Sequence, residues 1–540
     1  MLPAAPSHVT EDQSEALRFL ESGAAYGLGD APIERIDTHG SIVFLAGERV
    51  YKVKRAVRYP YMDYGTLERR RVCCEREVEL NGRTAPALYL GVEPIVRGSD
   101  GQLSIGAKGV PIEWAVHMRR VPATDLFDRL AADCRLNDAL MDDAADALAT
   151  LHRDAERVGE RQEHGGGANH LRWVIADNAA GLTEHPALFD QASVERVRAA
   201  SARALDRNAA RLGERLANGS VRRCHGDLHL GNLCLWRGRA TLFDAIEFND
   251  RFACIDVFYD LAFLLIELDR RVGRAFAIHL LNRYVRQTGD VEGLALLPLF
   301  LSLRATIRAK TNAAAAFTQQ DAANAERLRR GAKAYLRSAL DYLTPMPARL
   351  IAVGGRSGSG KSTLARLLAP LIGPAPGALH FRSDVIRKTM FGVADETRLP
   401  ESAYASDVSE EVYRRLGESA MAALRQGHAV IADAVFDRAD SRAAIKAIAA
   451  EAGVSFEGIW LEASPDKMRA RLHTRTNDAS DATPAVLDLQ LSHDTGAIVW
   501  HRVSAEGTPA EVADRAASAL GLSETVTDAD PDLRLPRGAS

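Results

Sequence analysis

The sequence predicts an α/β multidomain chain, an α+β domain followed by an α/β domain with a mainly parallel sheet, and three observations carry that prediction. Strand-like runs at 41–45, 49–53, 88–96 and 112–118 give way to a long helical stretch over 124–217. The pattern then breaks at Thr344-Pro345-Met346-Pro347. Beyond the break, short apolar runs alternate with helical ones from Arg349 to about Leu522, as in a sheet with crossover helices.

Size and charge fit this reading. At roughly 150 residues per domain, 540 residues make three or four lobes. The 68 Lys and Arg face 72 Asp and Glu, a net charge of −4. That balance, with no basic stretch interleaved with aromatics, argues against a nucleic-acid or polybasic membrane binder. No uncharged apolar run reaches the roughly 18 residues of a membrane span. The first residues lack the basic and apolar regions of a secretory leader, and the six cysteines form no C-x-x-C pair. Both predict a reduced, cytoplasmic chain.

In order along the chain, residues 1–30 lead in and 31–343 form the first domain. Its strand-rich lobe covers about 31–120 and its helical lobe about 121–343. The runs 41–45 and 49–53 flank Ala46-Gly47-Glu48 and predict a hairpin. Leu67, Val72, Val78 and Leu80 predict a helix over 66–83. The polar, glycine-rich stretch 159–169 predicts a loop between helices. A hairpin is expected over 221–247, with helices from there to Tyr342. The second domain covers 348–522. Residues 523–540, rich in Asp, Pro, Arg and Gly, read as a flexible tail.

The second domain opens with a strand, 349–354, then Gly355-Arg-Ser357-Gly358-Ser359-Gly360-Lys361-Ser362-Thr363, then a helical run. This is G-x-x-x-x-G-K-[ST] in the strand-before, helix-after context that gives it meaning. Glycines let successive N–H groups curl round a phosphate, and the helix N-terminus adds its dipole. Lys361 reaches the terminal phosphates and Ser362 offers its hydroxyl to Mg²⁺. Asp384, in Phe381-Arg-Ser-Asp384-Val-Ile-Arg387, follows a second strand. It is placed either as a base for an acceptor hydroxyl or as a helix N-cap. Arg387 is a candidate for holding substrate or phosphate. Asp433 ends the apolar strand 429–433, the form of a Mg²⁺-supporting carboxylate. Arg471 and Arg475, four apart with Arg469 nearby, either close over the transferring phosphoryl group or line a solvated helix face.

These residues make 349–500 resemble the small-molecule P-loop kinases related to gluconate kinase and zeta-toxin-type kinases. The resemblance lies in GRSGSGKST, RSDVIRK, IADAVF and the lid-like RLHTR…DASDAT. It implies a P-loop NTPase fold and ATP-dependent phosphorylation of a hydroxyl on a small metabolite or sugar.

The first domain carries His225-Gly226-Asp227-Leu-His229-Leu-Gly-Asn232, followed by Asp244 in Leu242-Phe-Asp-Ala-Ile-Glu247. D-x-x-x-x-N is the spacing of a kinase catalytic loop. Asp227 orients the attacking hydroxyl, Asn232 reaches Mg²⁺ bound to ATP, and Asp244 completes the metal shell. A zinc cluster of Cys224, His225, His229 and Cys234 would leave that ordered set without a purpose. Asp227 and Asn232 as ordinary turn residues is the other alternative.

With the stretch HGDLHLGNL…LFDAIEFND…DVFYDLAFL, residues 31–340 resemble the aminoglycoside-phosphotransferase/choline-kinase-like superfamily. The resemblance implies a bilobal protein-kinase-like domain. It implies an ATP-phosphate lysine in Val50-Tyr-Lys52-Val-Lys54, either Lys52 or Lys54, with Glu77 as its helical partner. It also implies bracing of the loop by Asp256 and Asp260. No G-x-G-x-x-G stands near Thr38-His39-Gly40-Ser41, so the phosphate-covering loop must differ. The expectation is a phosphotransferase with two ATP- and Mg²⁺-using modules and a small-molecule hydroxyl acceptor. An ATP-binding switch protein with a degenerate kinase-like domain is the alternative.

Overall fold

The computed structural model describes residues 8–159, 166–474, 478–522 and 530–533. Helix α1 (Ser14–Leu20) leads into an antiparallel sheet of six strands. These are β1 (Glu34–Asp37), β2 (Ser41–Ala46), β3 (Arg49–Lys54), β6 (Tyr89–Arg97), β7 (Leu103–Ile105) and β8 (Val110–Arg119), in the order β1-β2-β3-β8-β6-β7. Between β3 and α2 (Leu67–Asn81) stands a small hairpin, β4 (Arg58–Tyr59) and β5 (Met62–Asp63). Side chains alternate faces along each strand. Ile42, Phe44, Tyr51 and Val53 therefore pack with Leu20, Ile95 and Ala115 on one side. Lys52 and Lys54 point to the other side, where α2 packs.

The helices α3 (Phe127–Ala132), α4 (Asp138–Asp154), α5 (Ala168–Thr183), α6 (Gln191–Arg207) and α7 (Ala209–Ala217) follow. The expected 221–247 hairpin is shorter than the sequence suggested. Only β10 (Leu233–Trp236) and β11 (Arg239–Leu242) form it, whereas β9 (Val221–Arg223) pairs with β12 (Cys254–Asp256) beyond the short helix α8 (Asp250–Ala253). The loop 224–232 is thereby anchored at each end by a different strand pair. Helices α9 (Val257–Glu267), α10 (Arg274–Thr288), α11 (Leu297–Thr318) and α12 (Ala322–Leu343) complete this part. Helices α11 and α12 pack along each other through buried alanines such as Ala305, Ala309, Ala332 and Ala339.

The remaining strands build one parallel sheet in the order β14-β15-β13-β16-β17. They are β13 (Arg349–Gly355), β14 (Leu379–Arg382), β15 (Val430–Asp433), β16 (Ser455–Glu462) and β17 (His501–Ser504). Between and after them run α13 (Lys361–Leu368), α14 (Ser383–Met390), α15 (Ser406–Arg425), α16 (Ala439–Ala452), α17 (Pro465–Thr474), α18 (Pro484–Ser492) and α19 (Pro509–Ala519). The central β13 and β15 are buried almost end to end, as a sheet covered on both faces requires.

Contacts gather the chain into two compact units. One holds residues up to Val174 with Arg207–Leu264, the other Ile175–Asp206 with Leu265–Arg534. Inside the second unit α10 packs on β14: the Asn282 side-chain oxygen accepts the His380 backbone N–H at 2.8 Å, and Arg286 pairs with Asp395. Part of the expected flexible tail is also packed there. Leu533 is buried against Gly331, Asp532 pairs with Arg337 at 3.2 Å, and the Asp530 N–H donates to the Arg270 carbonyl at 2.9 Å. The rest of the 523–540 segment lies outside the described residues.

Candidate active sites

In the first unit, the two candidate lysines occupy different environments. Lys52 Nζ lies 2.9 Å from Glu77 and 2.5 Å from Asp244. Lys54 bridges Glu77 and Glu247, and Tyr64 donates to the same Glu247 at 2.5 Å. The Lys54 side chain is 1% exposed and that of Lys52 15%, so Lys52 is the cation with access to a ligand. Burial acts to lower both lysine pKa values, but Asp244 and Glu77 outweigh it at Lys52, and Glu247 and Glu77 at Lys54. Both therefore stay charged. Burial likewise acts to raise Asp244, and Lys52 overcomes it, holding the carboxylate ionised. Glu77 is fully buried, whereas Glu75 is exposed and pairs with Arg71.

The loop carrying Asp227 is held from behind. Asp260, fully buried, accepts the N–H groups of His225 and Gly226 at 3.0 and 2.9 Å and also meets the His152 ring at 3.1 Å. Asp256 pairs with Arg215 at 2.6 Å. Gly226 has φ +88°, and a side chain there would strike the Phe252 carbonyl at 2.9 Å, so no other residue fits. Asn232 donates to the Asp227 carbonyl at 2.9 Å and reaches its carboxylate at 3.4 Å; His229 lies 3.5 Å from that carboxylate. Asp244 adopts φ +63°, a strained backbone held by Tyr89, whose hydroxyl accepts its N–H at 3.2 Å. Among the described residues the zinc alternative does not assemble. The group that does, His152, Cys224 and Asp260, is already committed: Asp260 serves the loop backbone, and burial pushes the Cys224 thiol pKa well up.

The turn at Thr38–Ser41, where a glycine loop is missing, is pinned elsewhere. His39 hydrogen-bonds the Tyr61 hydroxyl at 2.7 Å and stacks on Tyr59 at 4.3 Å.

In the second unit, the loop 355–360 joins β13 to α13. Lys361 donates to the Arg356 carbonyl at 3.1 Å. At Gly358, φ +79°, a side chain would meet the Met468 carbonyl at 2.6 Å, so glycine lets α17 press against the loop. Gly360, at the cap of α13, offers no side-chain acceptor to the helix N-terminus. The Ser359 hydroxyl is buried without a partner among the described residues, and the Ser357 N–H donates to Gln490 of α18 at 2.8 Å. A loop with an orphaned hydroxyl and an uncapped helix start fits an anionic phosphate. Ser362 is half-buried there and Thr363 exposed.

Asp384 lies in the first turn of α14, whose cap position is Arg382, so it is not the N-cap. Burial raises its pKa, the Asp433 charge adds to that, and Arg382 and Lys361 oppose it. At Asp433 burial also pushes upward, but the hydrogen bond and charge of His380, with Arg382 and Lys361, hold the pKa at about 2. His380 Nε2 lies 3.1 Å from that carboxylate. The two acids thus differ in basicity within one site. Oxygen donors of Asp433 and Ser362, and of Asp244 and Asn232, suit Mg²⁺.

Arg471, Arg469 and Arg387 are each engaged with groups of the protein itself. Arg471 donates to the Ser359 carbonyl and to Ala505, at 3.0 Å each, so it fastens the loop instead of pointing into it. Arg469 is exposed and pairs with Asp488 at 2.7 Å. Arg475 lies outside the described residues. Arg387 is buried, donating to the Ala403 carbonyl at 2.6 Å with its guanidinium over Tyr404. Sequence reasoning missed Glu247, His380 and Gln490. Glu247 alone had a signal, three residues beyond Asp244.

A kinase-like phosphotransferase domain joined to a P-loop kinase domain is the class that fold and sites define. Residues 74–297 match the phosphotransferase enzyme family and residues 350–494 match the AAA domain family. Uncharacterized proteins of Mycobacterium tuberculosis and Mycobacterium bovis are 28% identical over 496 residues, covering 89% of this chain and 94% of theirs. The adenylyl-sulfate kinase of Myxococcus xanthus is 32% identical over 143 residues, 26% of this chain and 69% of that enzyme. A gluconokinase structure from Sinorhizobium meliloti 1021 matches at 22% identity and a TM-score of 0.25, over 33% of this chain and 93% of its own. No helix among the described residues is long and apolar enough to cross a membrane.

Proposed function

We propose that this kinase has two ATP-using modules, each transferring the γ-phosphoryl group of Mg·ATP to a hydroxyl of a small molecule. The observation that carries the reading is the pairing of Lys52 with both Glu77 and Asp244, next to a loop that presents Asp227 and Asn232. In that module Lys52 holds phosphate oxygens and Asp227 orients the acceptor hydroxyl. In the other, the phosphate loop with Lys361 holds the nucleotide and Asp384, its basicity raised by burial, takes the hydroxyl proton. Mg²⁺, when bound, neutralises phosphate charge. Acceptors are small metabolites, sugars or aminoglycoside-like compounds, and the site of action is the cytoplasm.

ATP turnover against a library of hydroxylated metabolites, in wild type, Lys361→Ala and Asp227→Ala, tests this. Loss of a different product in each variant is expected. Unchanged products and ATP consumption in Asp227→Ala would reduce the first domain to a binding module. That second reading, a nucleotide-sensing domain, is favoured by one observation: His39 ties the would-be phosphate-covering turn to Tyr59 and Tyr61.

A further inference from the structure

We infer that His380 is a positioning residue for Asp433, holding one oxygen of that carboxylate so that the other faces Mg²⁺, and that Asn282 of α10 fixes the strand on which His380 stands. The metal end rests on the phosphotransferase reading above; the contacts stand on observations of their own.

Asp433 ends β15 beside Val353 of β13, two residues before the phosphate loop begins at Gly355. On its other side lies β14, the edge strand of the sheet, with Arg382 opposite Asp433 and His380 opposite Ile431. His380 and Arg382 are two apart on one strand and therefore face the same side. Both reach the same oxygen: His380 Nε2 lies 3.1 Å and Arg382 Nε 3.8 Å from Oδ2. An ionised carboxylate only accepts, so Nε2 carries the ring hydrogen and donates it. Among the described residues no hydrogen-bond donor meets Oδ1. Asp433 is 3% exposed, and in so enclosed a place a donor fixed on one oxygen sets the rotation of the carboxylate. The lone pairs of the other oxygen are thereby aimed for a metal.

His380 is itself held. An edge strand leaves its outward N–H groups without a sheet partner. That of His380 donates to the Asn282 side-chain oxygen at 2.8 Å. The Asn282 amide nitrogen donates to the Ile278 carbonyl one turn back at 2.9 Å, which directs the oxygen to the strand. If His380 merely fastened β14 to β15, its loss would cost stability and leave metal affinity alone.

The test follows Mn²⁺ binding to the full chain with ADP present, by electron paramagnetic resonance of the free ion. Asp433→Asn identifies the binding event that belongs to the second domain. His380→Phe keeps a ring but no N–H, and should weaken that event by about tenfold or more. The Mg²⁺ concentration for half-maximal transfer should rise by a similar factor, with kcat at saturating Mg²⁺ near wild type. His380→Gln, whose amide N–H can stand where Nε2 does, should restore binding to near wild type. Asn282→Leu should weaken the same event by about threefold, being one contact further from the metal. Should phenylalanine unfold the strand, His380→Asn, whose amide falls short of Asp433, takes its place and should weaken binding likewise. Wild-type affinity in the Phe or Asn variant, or equal losses in the Phe and Gln variants, overturns the proposal. If wild type binds no Mn²⁺ with ADP at the second domain, the phosphotransferase reading fails there, and the role of His380 with it.

Discussion

Lys52 and Lys54 grip opposite oxygens of one carboxylate, that of Glu77. One lysine also reaches Asp244 and the other Glu247, so four charges and a shared glutamate tie strand, helix and loop together. The two cations nevertheless have separate duties. Replacing Lys54 with Met leaves buried Glu247 without its cation and Glu77 held by Lys52 alone, and loss of about 3–5 kcal/mol of stability is expected. Replacing Lys52 with Met leaves Glu77 paired, so the melting temperature should change little while transfer by this domain falls about 10²–10³-fold. Thermal denaturation and turnover of both variants check this. Equal stability losses would show that the division is not real.

Asp384→Asn should lower transfer by the second domain by about 10²–10⁴-fold with nucleotide affinity near wild type. Because the Asp384 pKa is raised, the wild-type rate should climb with pH through a range above that of an ordinary carboxylate, as the base loses its proton. That rise should vanish in the variant. Rate–pH profiles under saturating ATP measure it.

Arg471→Ala should weaken nucleotide binding by about one to two orders of magnitude, since charge-assisted hydrogen bonds to the loop carbonyls are lost. Lys in its place should not rescue, because one ammonium cannot span Ser359 and Ala505 as the guanidinium does. Titration with a fluorescent nucleotide reads the change directly.

His428 is buried and its pKa is lowered by that burial to about 4. The unfolded chain takes up this proton near pH 6.5, whereas the folded protein refuses it until about 4. Stability is therefore lost as pH falls through that window, by roughly 3 kcal/mol in total. His428→Gln should flatten that part of the curve. Denaturant melts of both proteins from pH 7 to pH 4 would reveal no difference if the histidine titrates normally.

What was legible in the sequence was contiguous. The phosphate loop, the Asp227–Asn232 spacing and the parallel sheet could each be read from local pattern, because neighbours in the chain remain neighbours in the fold. Period-two alternation puts Lys52 and Lys54 on the same face and cannot rank them; α2 and the Asp244–Glu247 segment do that by enclosing Lys54. His380 and Gln490 became visible only when strands and helices distant in sequence met. Asp384 reads as a base first and as a cap second, since Ser-Asp also suits a helix start; α14 begins at Ser383, two residues before a helix capped by Asp384 would. The hairpin expected over 221–247 is shorter because β9 finds its partner in β12, across the loop 224–232.

The hydrogen bond from the His380 backbone to Asn282 has an evolutionary consequence. The Pro-containing break at 344–347, where a helical stretch gives way to a new α/β alternation, looks like a natural site for shuffling domains between genes. Yet the strand bearing His380, and through its ring Asp433, is fastened by α10 from before that point. Recombination at Pro345 would deliver a second domain with an unpaired strand N–H and a less firmly oriented carboxylate. The second domain therefore keeps this contact only where α10 travels with it.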